Sequence, residues 1–137
     1  MPEKTTVPTV MLIDDNRIDI ILNRKVLEKE NIAENIQVFE QAETALDYLK
    51  QLEKDLDKNT NQVPSMIFID VVMPQMNGFQ FIKAFDALSP ALKSKIKIIL
   101  ISSALLTTEQ QASLSQYQVS IEMVGKPLTK STLDKLR

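Results

Sequence analysis

Apolar residues in this chain come in two rhythms that alternate along its length. Short continuous runs that stop at polar residues predict buried strands. They are "TVMLID" at 9–14, "NIQVFE" at 35–40, "SMIFID" at 65–70, "KIKIILIS" at 95–102 and "VSIEMV" at 119–124. Between them, apolar positions recur at three and four residues. Ile18, Ile21, Leu22 and Val26 predict a helix ending near Glu30. Ala45, Leu46, Leu49, Leu52 and Leu56 predict a second, and Phe79, Ile82 and Phe85 a third. Thr107 and Thr108, each with glutamine three residues later, give capping-box starts for a fourth helix. "TKSTLDKLR" begins a fifth. The polar "EKDLDKNTNQVP" predicts a fraying helix end and a surface loop.

Strands alternating with helices of this length predict an α/β fold, a parallel sheet with helices on both faces. Continuous apolar strands suit a sheet buried on both sides. Such sheets bind ligands beyond the carboxyl ends of their strands, at the topological switch point. Here those ends carry Asp14-Asp15, Asp70 and Ser102-Ser103, and the last strand leads to Lys126-Pro127. A parallel sheet gathers these groups into one shallow pocket. Crowded carboxylates repel one another, and a hard divalent cation such as Mg²⁺ relieves them. An Asp beside such a metal can attack phosphorus. The metal and a lysine would hold the phosphoryl oxygens.

Composition narrows the choice. The 137 residues suffice for one domain, read as 1–137, with a real core. Apolar residues at 44% and charged residues at 25% fit a soluble globular chain. A net charge of -2, with bases and acids interleaved, argues against nucleic acid as a direct ligand. No apolar run approaches the roughly 20 residues that span a bilayer. The N-terminus lacks a signal-peptide core, so a cytoplasmic location is expected. Histidine and cysteine are absent, which removes Ser-His-Asp triads, His-based zinc sites, disulfides and a phosphohistidine-carrier role. The two glycines, Gly78 and Gly125, leave no glycine-rich phosphate loop.

Four segments, "MLIDDN", "FIDVVMPQMNG", "ILISSA" and "GKP", occur in order over nearly the whole chain. Together they resemble the receiver domain of two-component response regulators. The resemblance implies a flavodoxin-like, doubly wound five-stranded parallel sheet of order 2-1-3-4-5. It implies Asp70 as phospho-acceptor, with Lys126 pairing with the phosphoryl group and Ser102 bonding one of its oxygens. It implies Mg²⁺, with Mn²⁺ as substitute, held by Asp15, Asp70 and the Val72 carbonyl and supported by Asp14 partly through water. A cis Lys126-Pro127 bond follows too. The implied partners are a histidine kinase or histidine phosphotransfer protein and a downstream protein, with the chain a monomer or weak phosphorylation-dependent dimer. The implied role is a signalling switch, not an enzyme.

Some positions depart from the family pattern. Met123 stands where Tyr or Phe is usual, "YQVS" replaces a common Gly-Ala, and Ser103 replaces a frequent Ala. Other residues have plainer readings. Asp14 or Asp15 can cap the first helix. Pro74 ends the third strand, and Asn77-Gly78 makes a turn. Asp19, Glu122 and the charges of "EKDLDK" read as solvated surface. Two alternatives stay open: a pseudo-receiver that only binds partners, and a metal-dependent phosphatase with an Asp nucleophile. The second needs an acid two residues beyond Asp70, where Val72 stands.

Overall fold

The computed structural model describes residues 6–136. Met1–Thr5 and Arg137, parts of the expected 1–137 domain and of the fifth predicted helix, lie outside the described residues. The strands are β1 (Val7–Ile13), β2 (Ala33–Phe39), β3 (Met66–Asp70), β4 (Lys97–Ser102) and β5 (Ser120–Gly125). The helices are α1 (Arg17–Lys29), α2 (Ala42–Glu53), α3 (Gly78–Asp86), α4 (Pro90–Lys93), α5 (Thr108–Leu114) and α6 (Lys130–Leu136). All strand pairs are parallel, in the order β2-β1-β3-β4-β5. The expected doubly wound sheet is therefore present.

Successive strand residues point to opposite faces, and this sheet fills both. Met11, Ile13, Ile67, Ile69, Ile98 and Leu100 pack with apolar residues of α2, α3 and α5. Val10, Leu12, Phe68, Ile99 and Ile101 pack on the other face with Leu27 of α1 and Leu133 of α6. Each such buried side chain contributes about 1.5–3 kcal/mol relative to exposure. The central strands thus form a rigid base beneath their own carboxyl ends.

Four local features differ from expectation. The predicted second helix stops at Glu53, so Leu56 lies beyond it, although it still packs against the core. The third helix buries Phe81 with Ile82 and Phe85, while Phe79 is only half-buried. A one-turn helix, α4, was not predicted. It starts at Ser89, whose side chain accepts from the Leu92 N–H, with Pro90 at the first helical position. That is a favoured place for proline, whose missing N–H has no partner there to lose. Of the two threonines, Thr107 is the cap of α5, in a full capping box with Gln110.

Candidate functional site

Ile13 and Ile69 are register partners on β1 and β3. The next residue on each chain, Asp14 and Asp70, therefore emerges at the switch point where the strand order reverses. Both are buried, at 1% and 5% exposure. Asp14 Oδ1 accepts the Asn16 N–H at 2.9 Å, whereas Oδ2 is buried with no partner. Burial pushes the Asp14 carboxyl up to about 6, the charges of Asp70 and Asp19 add to this, and the Asn16 N–H and Lys126 oppose it. The N-cap of α1 is neither acid but Asn16, whose side chain accepts the Asp19 N–H.

Asp70 is fixed at both oxygens. Oδ1 accepts the Val72 N–H at 2.9 Å, and Oδ2 meets the Lys126 ammonium in a very short ion pair. Burial disfavours the charge on Lys126, but the carboxylates of Asp70 and Asp19 outweigh it and hold its pKa above the usual value. The Lys126 N–H donates to the Ser102 carbonyl at 2.9 Å, so the ends of β4 and the loop after β5 are tied together. The Lys126-Pro127 peptide is cis, as expected. The Ser102 hydroxyl is turned onto its own loop, donating to the Ala104 carbonyl at 2.5 Å and accepting the Ala104 N–H at 3.2 Å.

The 71–78 loop explains the paired Pro74 and Asn77-Gly78. Val71 and Met73 are buried beneath it, while Val72 is 75% exposed. The loop closes through the Gly78 N–H donating to the Val71 carbonyl at 3.1 Å. Asn77 caps α3 in a reciprocal box with Gln80. Gly78 is not a positive-φ turn glycine. It is needed for close approach: a Cβ there would lie 2.7 Å from Leu100 Cδ2 and 3.2 Å from the Asp70 carbonyl oxygen.

Acids read from the sequence as solvated surface are paired: Glu122 meets Lys97, Glu53 Oε2 accepts the Ser89 N–H at 2.6 Å, and Asp19 belongs to the site. Asp19 is not a solvated surface residue, because its Oδ2 meets Lys126 Nζ at 3.1 Å. Ligand oxygens of Asp14, Asp19 and Asp70 all lie within 4.8 Å of one another. Asp15 is exposed and is not in that cluster; it lines a surface cleft with Glu40, Glu43 and residues 73–76. The readable signal for Asp19 was an acid in the first helical turn after a strand-end acid pair. Three convergent carboxylates, one with an unpartnered buried oxygen, fit a hard divalent cation.

Residues 10–136 match the family model of the response regulator receiver domain. A two-component response regulator from Cytophaga hutchinsonii has a similar structure, at TM-score 0.80 and 31% identity, with 96% of this chain and 95% of that one covered. A response regulator receiver protein from Dyadobacter fermentans gives a TM-score of 0.74 at 27% identity, covering 93% of each chain. The rice two-component response regulator ORR1 is 28% identical over 133 residues, which are 96% of this chain. This chain spans about half of that regulator's length, 54%. Among the described residues, no helix is long and apolar enough to cross a membrane. The chain belongs to the response regulator receiver domain family of two-component signalling.

Proposed function

We propose that the chain, as one receiver module over 1–137, takes a phosphoryl group onto Asp70 from a histidine kinase or histidine phosphotransfer protein. The observation that carries this is the state of Asp70. It is a strand-end carboxylate held at Oδ1 by the Val72 N–H and met at Oδ2 by Lys126, beside the orphaned oxygen of Asp14. Asp14, Asp70 and the Val72 carbonyl would hold Mg²⁺, or Mn²⁺ in its place, joined by Asp15, whose exposed carboxylate stands outside the Asp14–Asp19–Asp70 cluster and would turn in to the ion. The bound ion would neutralise the carboxylates and draw charge from the phosphoryl oxygens.

The chain's own groups do the rest. Asp70 Oδ2 forms the O–P bond as the P–N bond of the donor phosphohistidine breaks. The electron pair stays on the imidazole nitrogen, which takes its proton from solvent. Lys126 transfers its ammonium from Oδ2 to a phosphoryl oxygen, and the Ser102 hydroxyl leaves Ala104 to bond another. The exposed residue two positions beyond Asp70 is apolar Val72, so no carboxylic acid stands there to speed hydrolysis. This supports a switch over a turnover enzyme.

The donor protein would need apolar side chains to dock on. Ile18, Ile21 and Leu22 stand out on α1, more than half exposed. Exposed apolar side chains on the helix that follows the Asp14 strand end suit a docking protein. The test is incubation with acetyl phosphate and Mg²⁺ followed by intact mass measurement. The proposal expects the mass gain of one phosphoryl group, prevented by a chelator of divalent ions. A chain that stays unlabelled with metal and donor in excess contradicts it.

A further inference from the structure

Asp19 has the setting of a simple helix-start acid, and its geometry departs from that. It is the third residue of α1, where an acid favours the helix dipole. In a capping box, a side chain at this position turns back onto the N-cap amide. Here that amide, the Asn16 N–H, is already bound by Asp14 Oδ1. The Asp19 N–H is in turn taken by Asn16 Oδ1. The carboxylate is thereby left to reach over the pocket, and Oδ2 meets Lys126 Nζ at 3.1 Å across 107 residues of chain.

We propose that Asp19 is a positioning residue for Lys126: it draws the ammonium partly off Asp70 Oδ2 and keeps it beside the incoming phosphoryl group. The proposal rests on Asp70 being the phospho-acceptor. An ammonium has three N–H donors, and Asp70 Oδ2 and Asp19 Oδ2 receive two of them. Oδ2 is also the attacking atom, since Oδ1 is held by the Val72 N–H. The ammonium must therefore leave Oδ2 as the O–P bond forms. With Asp19 present, it can leave without entering solvent. Without Asp19, the nucleophile keeps the ammonium's remaining carboxylate hydrogen bond. Asp19 also adds a negative charge at the mouth of a pocket that must admit an anionic donor, so it opposes donor binding while aiding the step that follows.

These two effects separate kinetically. The rate of labelling by acetyl phosphate, at fixed excess Mg²⁺, is measured against donor concentration for the wild-type chain, Asp19→Asn, Asp19→Glu and Glu28→Gln. Glu28 is also on α1 and pairs with Arg24 at the surface, so its variant controls for loss of one negative charge. Rates are normalised to the labelled end point, which corrects for any unfolded fraction. If Asp19→Asn does not fold, Asp19→Ser takes its place. The expected result is that Asp19→Asn lowers both the maximal rate and the half-saturating donor concentration, each by about threefold or more. Asp19→Glu restores the maximal rate, and Glu28→Gln resembles wild type. An unchanged maximal rate in Asp19→Asn, or an equal change in Glu28→Gln, overturns the role of Asp19 while wild-type labelling stands. Absence of wild-type labelling overturns the phospho-acceptor, and this role falls with it.

Discussion

Lys126 closes on Asp70 from 56 residues further along the chain, and its ammonium sits on the one carboxylate oxygen that the backbone leaves free. The two residues come from the end of β3 and the loop after β5, which do not adjoin in the sheet; β4 separates them. The pair therefore reports on the whole carboxyl edge, and several consequences can be measured.

Lys126→Met should remove the counter-charge of a buried carboxylate. We expect a loss of about 1–3 kcal/mol in urea unfolding at neutral pH, with labelling by acetyl phosphate at least about tenfold slower. The sign with pH is set by the lysine, whose pKa is raised above 10.5. Its contribution is complete below 10.5 and disappears as pH rises through the folded value. Neutral-pH stability equal to wild type would show that the pair contributes nothing to the fold.

Asp14 should weaken the metal-free fold. Its carboxyl titrates near 3.8 when free and about 6 in place. Between those values the folded chain holds a proton that the unfolded chain has lost, so stability falls as pH rises through that window. Asp14→Asn should remove the loss. It should stabilise the metal-free chain by up to about 3 kcal/mol above pH 6 and not at all near pH 3. Urea midpoints across pH decide this, and a pH-independent difference would contradict it.

Mg²⁺ should stabilise the wild-type chain more than Asp14→Asn. At one hundred times its dissociation constant, a ligand specific to the folded state adds about 2.7 kcal/mol. A thermal melt with and without Mg²⁺ reads this directly. Equal upward shifts in both proteins would place the ion elsewhere.

Gly78→Ala should cost about 1–3 kcal/mol through overpacking. The Leu100 side chain can yield to the new Cβ, but the Asp70 carbonyl and the Val71 Cα, each 3.2 Å away, belong to backbone. Denaturant midpoints measure the loss, and wild-type stability would mean that the loop shifts freely.

Ser102→Ala should still accept phosphate while responding less to it. The hydroxyl now bonded to Ala104 is the group expected to cross to the phosphoryl oxygen. Met123, half-exposed on β5, replaces the usual aromatic and is flexible, so the response should already be shallow in wild type. Amide shifts with and without a phosphoryl mimic should change mainly over residues 104–124 and shrink in the variant. Changes confined to α1 and α2 would contradict this output face.

Much of the edge was legible because strand ends are local events. "MIFID" and "TVMLID" are apolar runs that stop at acids, and a parallel sheet puts such ends side by side. The two-sided core was legible for the same reason, since both phases of each central strand are apolar. The missed features depend on distance or on close packing. Asp19 sits among charges on an amphipathic helix, and its partner is 107 residues away, beyond any periodic pattern. Gly78 reads as a turn because Asn-Gly usually is one; only the approach of Leu100 identifies it as a packing glycine. The helix α4 is one turn long, too short for a stripe, although Ser89-Pro90 is a helix-start signature.

The central claim is that Asp70, alone among the acids of this pocket, forms the O–P bond. Its most direct test is intact mass after acetyl phosphate and Mg²⁺, with wild type, Asp70→Asn, Asp14→Asn and Asp19→Asn run side by side. The account predicts one phosphoryl group on wild type, slower labelling of Asp14→Asn and Asp19→Asn, and none on Asp70→Asn. Stoichiometric labelling of Asp70→Asn would contradict it.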